Sequence, residues 1–348
     1  MKMNILCLAT LSLITIVATA DPAPFVEDIQ PYQVFARHGK AGDITFRAKG
    51  SGTLTAELFR SGENKPLLHR DWAIASEGVT PLTLADVPVG GEYTLRFSLG
   101  DQQAEFRHIL VGDIWLIGGQ SNAVGISHVP EKPSPAVHYF RDNRWGAGAD
   151  PLFSPIFPLP PGETYVAAWR RAAQRYYEHT GVPVGLMGWA FGGVLMSRFW
   201  DVENKEMPDF KPLVTEHGRG ATAFLWYQGE SDANLQGIPV YRDRLAAMAS
   251  TIRRYAANSN LVMLVVQLSY VMDPPGKETP HTGRLRERQR QFCAADARAV
   301  LIPTLPYSHY DAVHLDFDGF MALGDRIGEC LAEVNRTGTA TWQGPRLV

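Results

Sequence analysis

The chain has 348 residues, 45% hydrophobic and 20% charged, an ordinary globular composition. Its 33 Lys and Arg stand against 36 Asp and Glu, a formal net charge of -3. That balance gives no excess to hold nucleic acid or an anionic membrane, and neither partner is indicated.

The first segment reads as an export signal, with Lys2 as a weak positive start and a mostly apolar run from Ile5 to Val17. Ala18-Thr19-Ala20 then supplies a small-residue cleavage site before Asp21. The run is shorter than the roughly 20 residues a spanning helix needs, which argues against an anchor. A cleaved signal over residues 1–20 predicts a soluble bacterial protein, periplasmic or secreted, with no membrane contact after cleavage. The remaining length suits two domains better than one.

Residues 21–110 read as a small β-sandwich domain. Tyr32–Phe35, Asp43–Arg47, Thr53–Phe59 and Glu92–Phe97 alternate apolar with polar residues, so one face meets a core and the other meets water. Gly50-Ser51-Gly52, Ser61-Gly62-Glu63-Asn64 and Gly90-Gly91 supply turns between them.

From Val111 the texture changes, and residues 111–335 read as an α/β domain, followed by a tail over 336–348. Strands are predicted at Asp113–Ile117, Pro183–Gly188, Thr222–Tyr227, Leu261–Leu268 and Ala299–Ile302. Helices are predicted near Tyr165–His179, Pro239–Ala257, Arg284–Asp296 and Phe320–Asn335. Near-continuous apolar strands separated by helices predict a doubly wound parallel sheet covered on both faces, with ligands beyond the carboxyl ends of its strands. The Pro- and Gly-rich stretch His128–Gly162 has no strong period and is a candidate wall for whatever site lies there.

Cys7 lies in the signal, leaving Cys293 and Cys330, both in predicted helices. An oxidising compartment permits a bridge between them, and two separate buried thiols are the equal alternative. No CxxC or HExxH pattern occurs, and no metal or organic cofactor is expected.

Two segments carry candidate chemistry. Gly119-Gln120-Ser121-Asn122 follows the apolar run Ile114–Ile117. A serine leaving a strand end there can turn its hydroxyl toward a ligand, with backbone N–H groups near a developing oxyanion. The GxSxG elbow is not met, because Ala123 stands where its last glycine would be. Asp311-Ala312-Val313-His314 lies between Pro306 and the last helix. That spacing lets a carboxylate in a turn hold the imidazole Nδ1–H while Nε2 faces a serine. Histidine's ordinary pKa near 6.5 suits it as a base near neutrality. Taken singly, each segment is more often structural.

Together they resemble a family. Gly112-Asp113-Ile114-Trp115 leading into Gly119–Asn122, Val182–Met187 followed by Gly192-Gly193, Trp226–Asp232, and Asp311–His314 are similar, in that order, to the sequence blocks of sialate O-acetylesterases and related carbohydrate acetylesterases. These belong to the SGNH (GDSL-like) hydrolase superfamily. The resemblance spans about Val34 to Glu333 and implies a three-layer SGNH-like domain after the β domain. It implies Ser121 as nucleophile, His314 as general base and Asp311 as the acid that orients it, with Glu230 as the alternative acid. The Ser121 backbone N–H, a glycine N–H from Gly192 or Gly193, and a donor at Gln228 would form the oxyanion hole. Asn122 and Trp189 are the candidate substrate contacts; Trp200 and Trp226 read more readily as core. Relatives more often carry Gly-Gly-Thr where this chain has Gly192-Gly193-Val194, a more apolar wall.

The expected activity is a serine carbohydrate O-acetylesterase acting on an acetylated sugar through an acetyl-enzyme. An acetylxylan or other polysaccharide deacetylase, and a non-catalytic glycan-binding protein on an inactive hydrolase fold, are the alternatives.

Overall fold

The computed structural model describes residues 25–75, 78–125, 132–153, 164–200, 204, 206–273 and 277–340. The expected export signal lies outside them, as do residues 126–131 and 154–163 of the Pro- and Gly-rich stretch and residues 341–348 of the tail. Among the described residues, no helix is long and apolar enough to cross a membrane.

The N-terminal region contains β1 (Val26–Glu27), β2 (Val34–His38), β3 (Ala41–Lys49), β4 (Gly52–Arg60), β5 (Leu68–Ile74), β6 (Val79–Pro88) and β7 (Gly90–Leu99). β3 pairs with β1, β2 and β6, and β4 pairs with β5 and β7. The period-two pattern works as anticipated. Ile44, Phe46 and Ala48 from β3 meet Leu54, Ala56 and Leu58 from β4 and Leu95 and Phe97 from β7 in one buried cluster, separate from the larger core that follows.

The two regions share a strand. β8 (Gln102–Gly119) pairs antiparallel with β7 through its first half and forms the centre of the parallel sheet through its second. The expected boundary after Leu110 therefore falls inside one strand, and every residue from Ile109 to Gly119 is buried. Gly112 and Asp113, types depleted in strands, sit inside it for local reasons. A Cβ at Gly112 would lie 2.1 Å from the Pro183 carbonyl oxygen.

Asp113, 2% exposed, accepts from Arg37 Nε at 2.8 Å and from the Tyr176 hydroxyl, tying β2 to the sheet. Removing one partner of a buried pair leaves the other charge uncompensated. Asp113→Ala is thus expected to cost about 3 kcal/mol of stability, read from the urea unfolding midpoint. A shift under a third of that would show Arg37 to be well solvated without its partner.

Beyond β8 come β9 (Ser134–Arg141), β10 (Arg144–Gly148), β11 (Val184–Ala190), β12 (Ala223–Tyr227), β13 (Val262–Gln267), the short pair β14 (Met272–Asp273) and β15 (Lys277–Glu278), and β16 (Ala299–Pro303). The sheet runs β10-β9-β11-β8-β12-β13-β16, parallel throughout except for β10. The Pro- and Gly-rich stretch, which shows no strong period, thus contributes an edge hairpin. The helices are α1 (Ser121–Val124), α2 (Ala168–Thr180), α3 (Ile238–Tyr255), α4 (Pro280–Ala295) and α5 (Phe317–Thr337). α2 packs on α5 and α3 on α4. Gly324 and Gly328 let α5 approach closely, since a Cβ at Gly328 would lie 2.6 Å from the Ala172 carbonyl oxygen.

Chain order departs in opposite directions on the two sides of β8, which makes its carboxyl end the switch point where ligands bind in open α/β sheets. Cys293 and Cys330 are separate free thiols, both buried. Burial pushes both up, away from the reactive thiolate form.

Candidate active site

Four chain segments meet beyond the carboxyl ends of the parallel strands. β8 delivers Ser121, β11 delivers Gly192 and Gly193, β12 delivers Gln228 to Asp232, and the connection from β16 to α5 delivers Asp311 and His314. Gly119 makes the first delivery possible. A Cβ there would lie 2.1 Å from the Tyr227 carbonyl oxygen and 2.6 Å from the Ala123 Cβ. Without one, the Gln120 N–H donates to that same Tyr227 oxygen at 3.0 Å and the chain turns into α1 with Ser121 partly accessible.

The loop before α5 is pinned at several points. Asp316 caps α5 by accepting from the Gly319 N–H at 2.8 Å, and the Ser308 hydroxyl donates to the same carboxylate at 2.6 Å. The Tyr310 N–H donates to the His314 carbonyl oxygen at 2.9 Å. Asp311 Oδ1 accepts from the Val313 and His314 N–H groups, both at 2.8 Å. This closes a turn that aims Oδ2 at the ring.

Within that frame, His314 Nδ1 lies 2.8 Å from Asp311 Oδ2 and His314 Nε2 lies 2.8 Å from Ser121 Oγ. The carboxylate selects the tautomer with hydrogen on Nδ1, leaving Nε2 to accept from the serine hydroxyl. Partial burial alone would raise the Asp311 carboxyl, but the hydrogen bonds from the His314 ring and from the two backbone N–H groups hold it below the usual carboxylate range. It is therefore ionised wherever the histidine is to act as a base.

Glu230 takes a different place. Its Oε1 accepts from Asn122 Nδ2 at 2.7 Å, and its Oε2 is buried with no partner among the described residues. Burial pushes its carboxyl up, against the pull of the Asn122 amide and of His314. Its hydrogen bond goes to the asparagine, while the histidine's goes to Asp311. A carboxylate with a raised folded-state pKa favours the fold when protonated. Stability thus falls as pH rises from the ordinary glutamate range, near 4.3, through the raised value. Glu230→Gln removes that titration, so its thermal midpoint should gain on the wild type's as pH climbs from about 4 to about 8. Parallel midpoint curves would contradict the assignment.

Two expected contacts are corrected. Gln228 is 0% exposed, and its Nε2 donates to the Val194 carbonyl oxygen at 3.1 Å and to Asp232 Oδ2 at 2.6 Å. Both amide hydrogens are therefore committed inside the fold, and the side chain has none left for an oxyanion. Asn122, expected at the substrate, is 1% exposed with both polar atoms bonded internally.

The backbone donors fare differently. Among the described residues, none accepts a hydrogen bond from the N–H groups of Ser121, Gly192 or Gly193. Gly193 takes a left-handed φ of 66°, which turns the chain away from β11.

Trp189 is half-buried, with the Arg198 guanidinium 5.1 Å from its ring centroid. With Phe140, Phe153, Phe191 and Leu213 it lines a cavity of about 490 Å³ beside the end of β11. Trp200 and Trp226 are core residues at 3% and 0% exposure.

Sequence reasoning missed the residues that hold the β12 turn. Asp232 accepts from the Met196 N–H at 2.7 Å as well as from Gln228, binding this turn to the one after β11. The Tyr241 hydroxyl donates to the Gln228 carbonyl oxygen at 2.6 Å, and Gln289 Nε2 donates to it at 3.2 Å. The available signal was an aspartate two residues beyond Glu230, where the strand's apolar run has ended.

Residues 111–333 match the family described as carbohydrate esterase, sialic acid-specific acetylesterase. No curated protein matches the chain. Among solved structures, a carbohydrate acetylesterase from Xanthomonas citri is similar at 19% identity and a TM-score of 0.60, covering 88% of this chain and 73% of that one. A protein from Arabidopsis thaliana is similar at 18% identity and a TM-score of 0.54, covering 64% of this chain and 98% of that one. At these identities the two likenesses speak to the fold.

Proposed function

This chain belongs to the sialic acid-specific acetylesterase family of carbohydrate esterases, and we propose that it removes acetyl groups from sugar hydroxyls through Ser121, His314 and Asp311. The observation that carries this reading is the unbroken chain of hydrogen bonds from Asp311 Oδ2 through the imidazole to Ser121 Oγ, each link 2.8 Å. Hydrogen-bond reach between nucleophile and base, with the base oriented by a third group, is what activates a serine hydroxyl.

His314 Nε2 takes the hydroxyl proton as Ser121 Oγ bonds to the acetyl carbonyl carbon, and the carbonyl oxygen becomes an oxyanion. The N–H groups of Ser121 and of Gly192 or Gly193 hold that oxyanion; one such donor is typically worth about 3–4 kcal/mol of barrier. The ester C–O bond then breaks, and the imidazolium returns its proton to the sugar oxygen as the acetyl group stays on Ser121. Water attacks the acetyl-enzyme, His314 takes its proton, and acetate leaves as Ser121 Oγ is reprotonated. We assign the sugar to the Trp189 side of the site, because the half-buried indole lines the cleft with Phe153 and Phe191 and offers a pyranose an apolar wall. We also propose export, with residues 1–20 removed, which N-terminal sequencing of the mature protein would check.

Acetate release should be measured across acetylated sialic acids, acetylated xylo-oligosaccharides and acetylated cell-wall glycans. Release from acetylated sugars supports the reading, and the fastest class identifies the substrate. No release from any of them overturns it.

A further inference from the structure

We infer that Asn122 is a positioning residue that fixes where His314 stands relative to Ser121, with Glu230 as its anchor. The inference rests on the esterase reading above and adds a role that neither acid nor nucleophile supplies.

The peptide units on both sides of His314 are held by this one side chain. Asn122 Nδ2 donates to the Val313 carbonyl oxygen at 3.2 Å, and Asn122 Oδ1 accepts from the Leu315 N–H at 3.2 Å. The asparagine is next in sequence to the serine, so the backbone that carries the nucleophile also grips the backbone that carries the base, across 193 positions of chain. The same Nδ2 makes its shortest bond, 2.7 Å, to Glu230 Oε1, which fixes the orientation of the amide. A side-chain amide offers a donor and an acceptor from one planar group, so it satisfies a carbonyl and an N–H at once. At 1% exposure, the amide shares neither task with solvent.

The Asp311 turn sets the rotation of the imidazole, but its bonds are local to the loop. Among the described residues, the polar ties from α1 to this loop, besides the Ser121–His314 bond, are the two made by Asn122. A loop that is internally rigid but unbraced against α1 can drift as a unit, and a displacement near 1 Å can cost on the order of 100-fold in rate.

Asn122→Ala is therefore expected to lower kcat by about 100-fold with KM within about twofold of wild type. Asn122→Asp keeps size and acceptor but sets a carboxylate against the Glu230 carboxyl, and should lose at least as much. The double variant Asn122→Asp with Glu230→Gln exchanges donor and acceptor between the two positions. It restores their bond but leaves the Val313 carbonyl without its donor, so it should recover only part of the loss, about tenfold in kcat over Asn122→Asp alone. A residue that merely filled space would not show that rescue. An unchanged kcat in Asn122→Ala, a loss confined to KM, or a double variant no better than Asn122→Asp would each overturn the inference. Should Asn122→Ala fail to fold, the Asp variant and the double variant decide alone. Ser121→Ala is measured beside them: turnover retained there sinks the esterase reading, whereas turnover lost there with full kcat in Asn122→Ala sinks the brace alone.

Discussion

Ser121→Ala is expected to reduce kcat on an acetyl ester by a factor on the order of 10⁶, since removing a serine nucleophile leaves only binding and oxyanion stabilisation. KM should change little, because the hydroxyl makes its bond to substrate carbon only as the reaction proceeds. The substitution removes one oxygen from a partly exposed position and leaves Gln120 and Asn122 with their bonds, so the thermal midpoint should stay near that of the wild type. Steady-state kinetics with p-nitrophenyl acetate and with an acetylated sugar would check this, and a loss below tenfold would mean another group attacks.

The second large effect separates the two acids. Asp311→Asn keeps an oxygen for the Val313 and His314 N–H groups but faces the ring with an amide, favouring the tautomer with hydrogen on Nε2. That tautomer cannot accept the serine proton, and a fall in kcat on the order of 10⁴ is expected. Glu230→Gln retains an acceptor for Asn122 and lies off the hydrogen-bond path from Asp311 to Ser121, so it should lose less than about tenfold. Measuring both on one substrate decides the matter. Equal losses, or a larger loss in Glu230→Gln, would return the orienting role to the buried glutamate.

The parts legible in the sequence were those written in short segments. β3, β4 and β7 came from alternation because one face of each meets a core, and β12 and β13 came from unbroken apolar runs. Ser121 and the Asp311–His314 pair were candidates from a strand end and a three-residue spacing, each more often structural when taken singly, and the ordered resemblance of four blocks to a family set them together. The β9–β10 hairpin was hidden by Pro133 and Pro135, which argue against a strand, yet its pairing with β11 covers only Val137 to Phe140 and so avoids both prolines. α5 begins at Phe317, earlier than its apolar stripe indicated, because the Asp316 cap adds a turn.

The residues misjudged were those whose orientation depends on distant partners. Gln228 is an amide at a strand end, the right type for an oxyanion donor. Asp232 and the Val194 carbonyl draw its amide inward, and Tyr241 and Gln289, from two helices, hold its backbone. Asn122 looks outward by position, beside an accessible serine, yet its partners lie 108 to 193 residues away. Whether Asp311 or Glu230 meets the imidazole was likewise open, because both sit at the carboxyl edge and a chain pattern carries no side-chain direction.

The most direct measurement looks for the proposed acetyl-enzyme. The protein is mixed with an acetylated methyl glycoside, quenched in acid within the expected turnover time, digested, and its peptides weighed. One acetyl group on the peptide that contains Ser121, absent from Ser121→Ala, is the predicted result. Acetate released at full rate with no acetyl group on that serine would contradict the account.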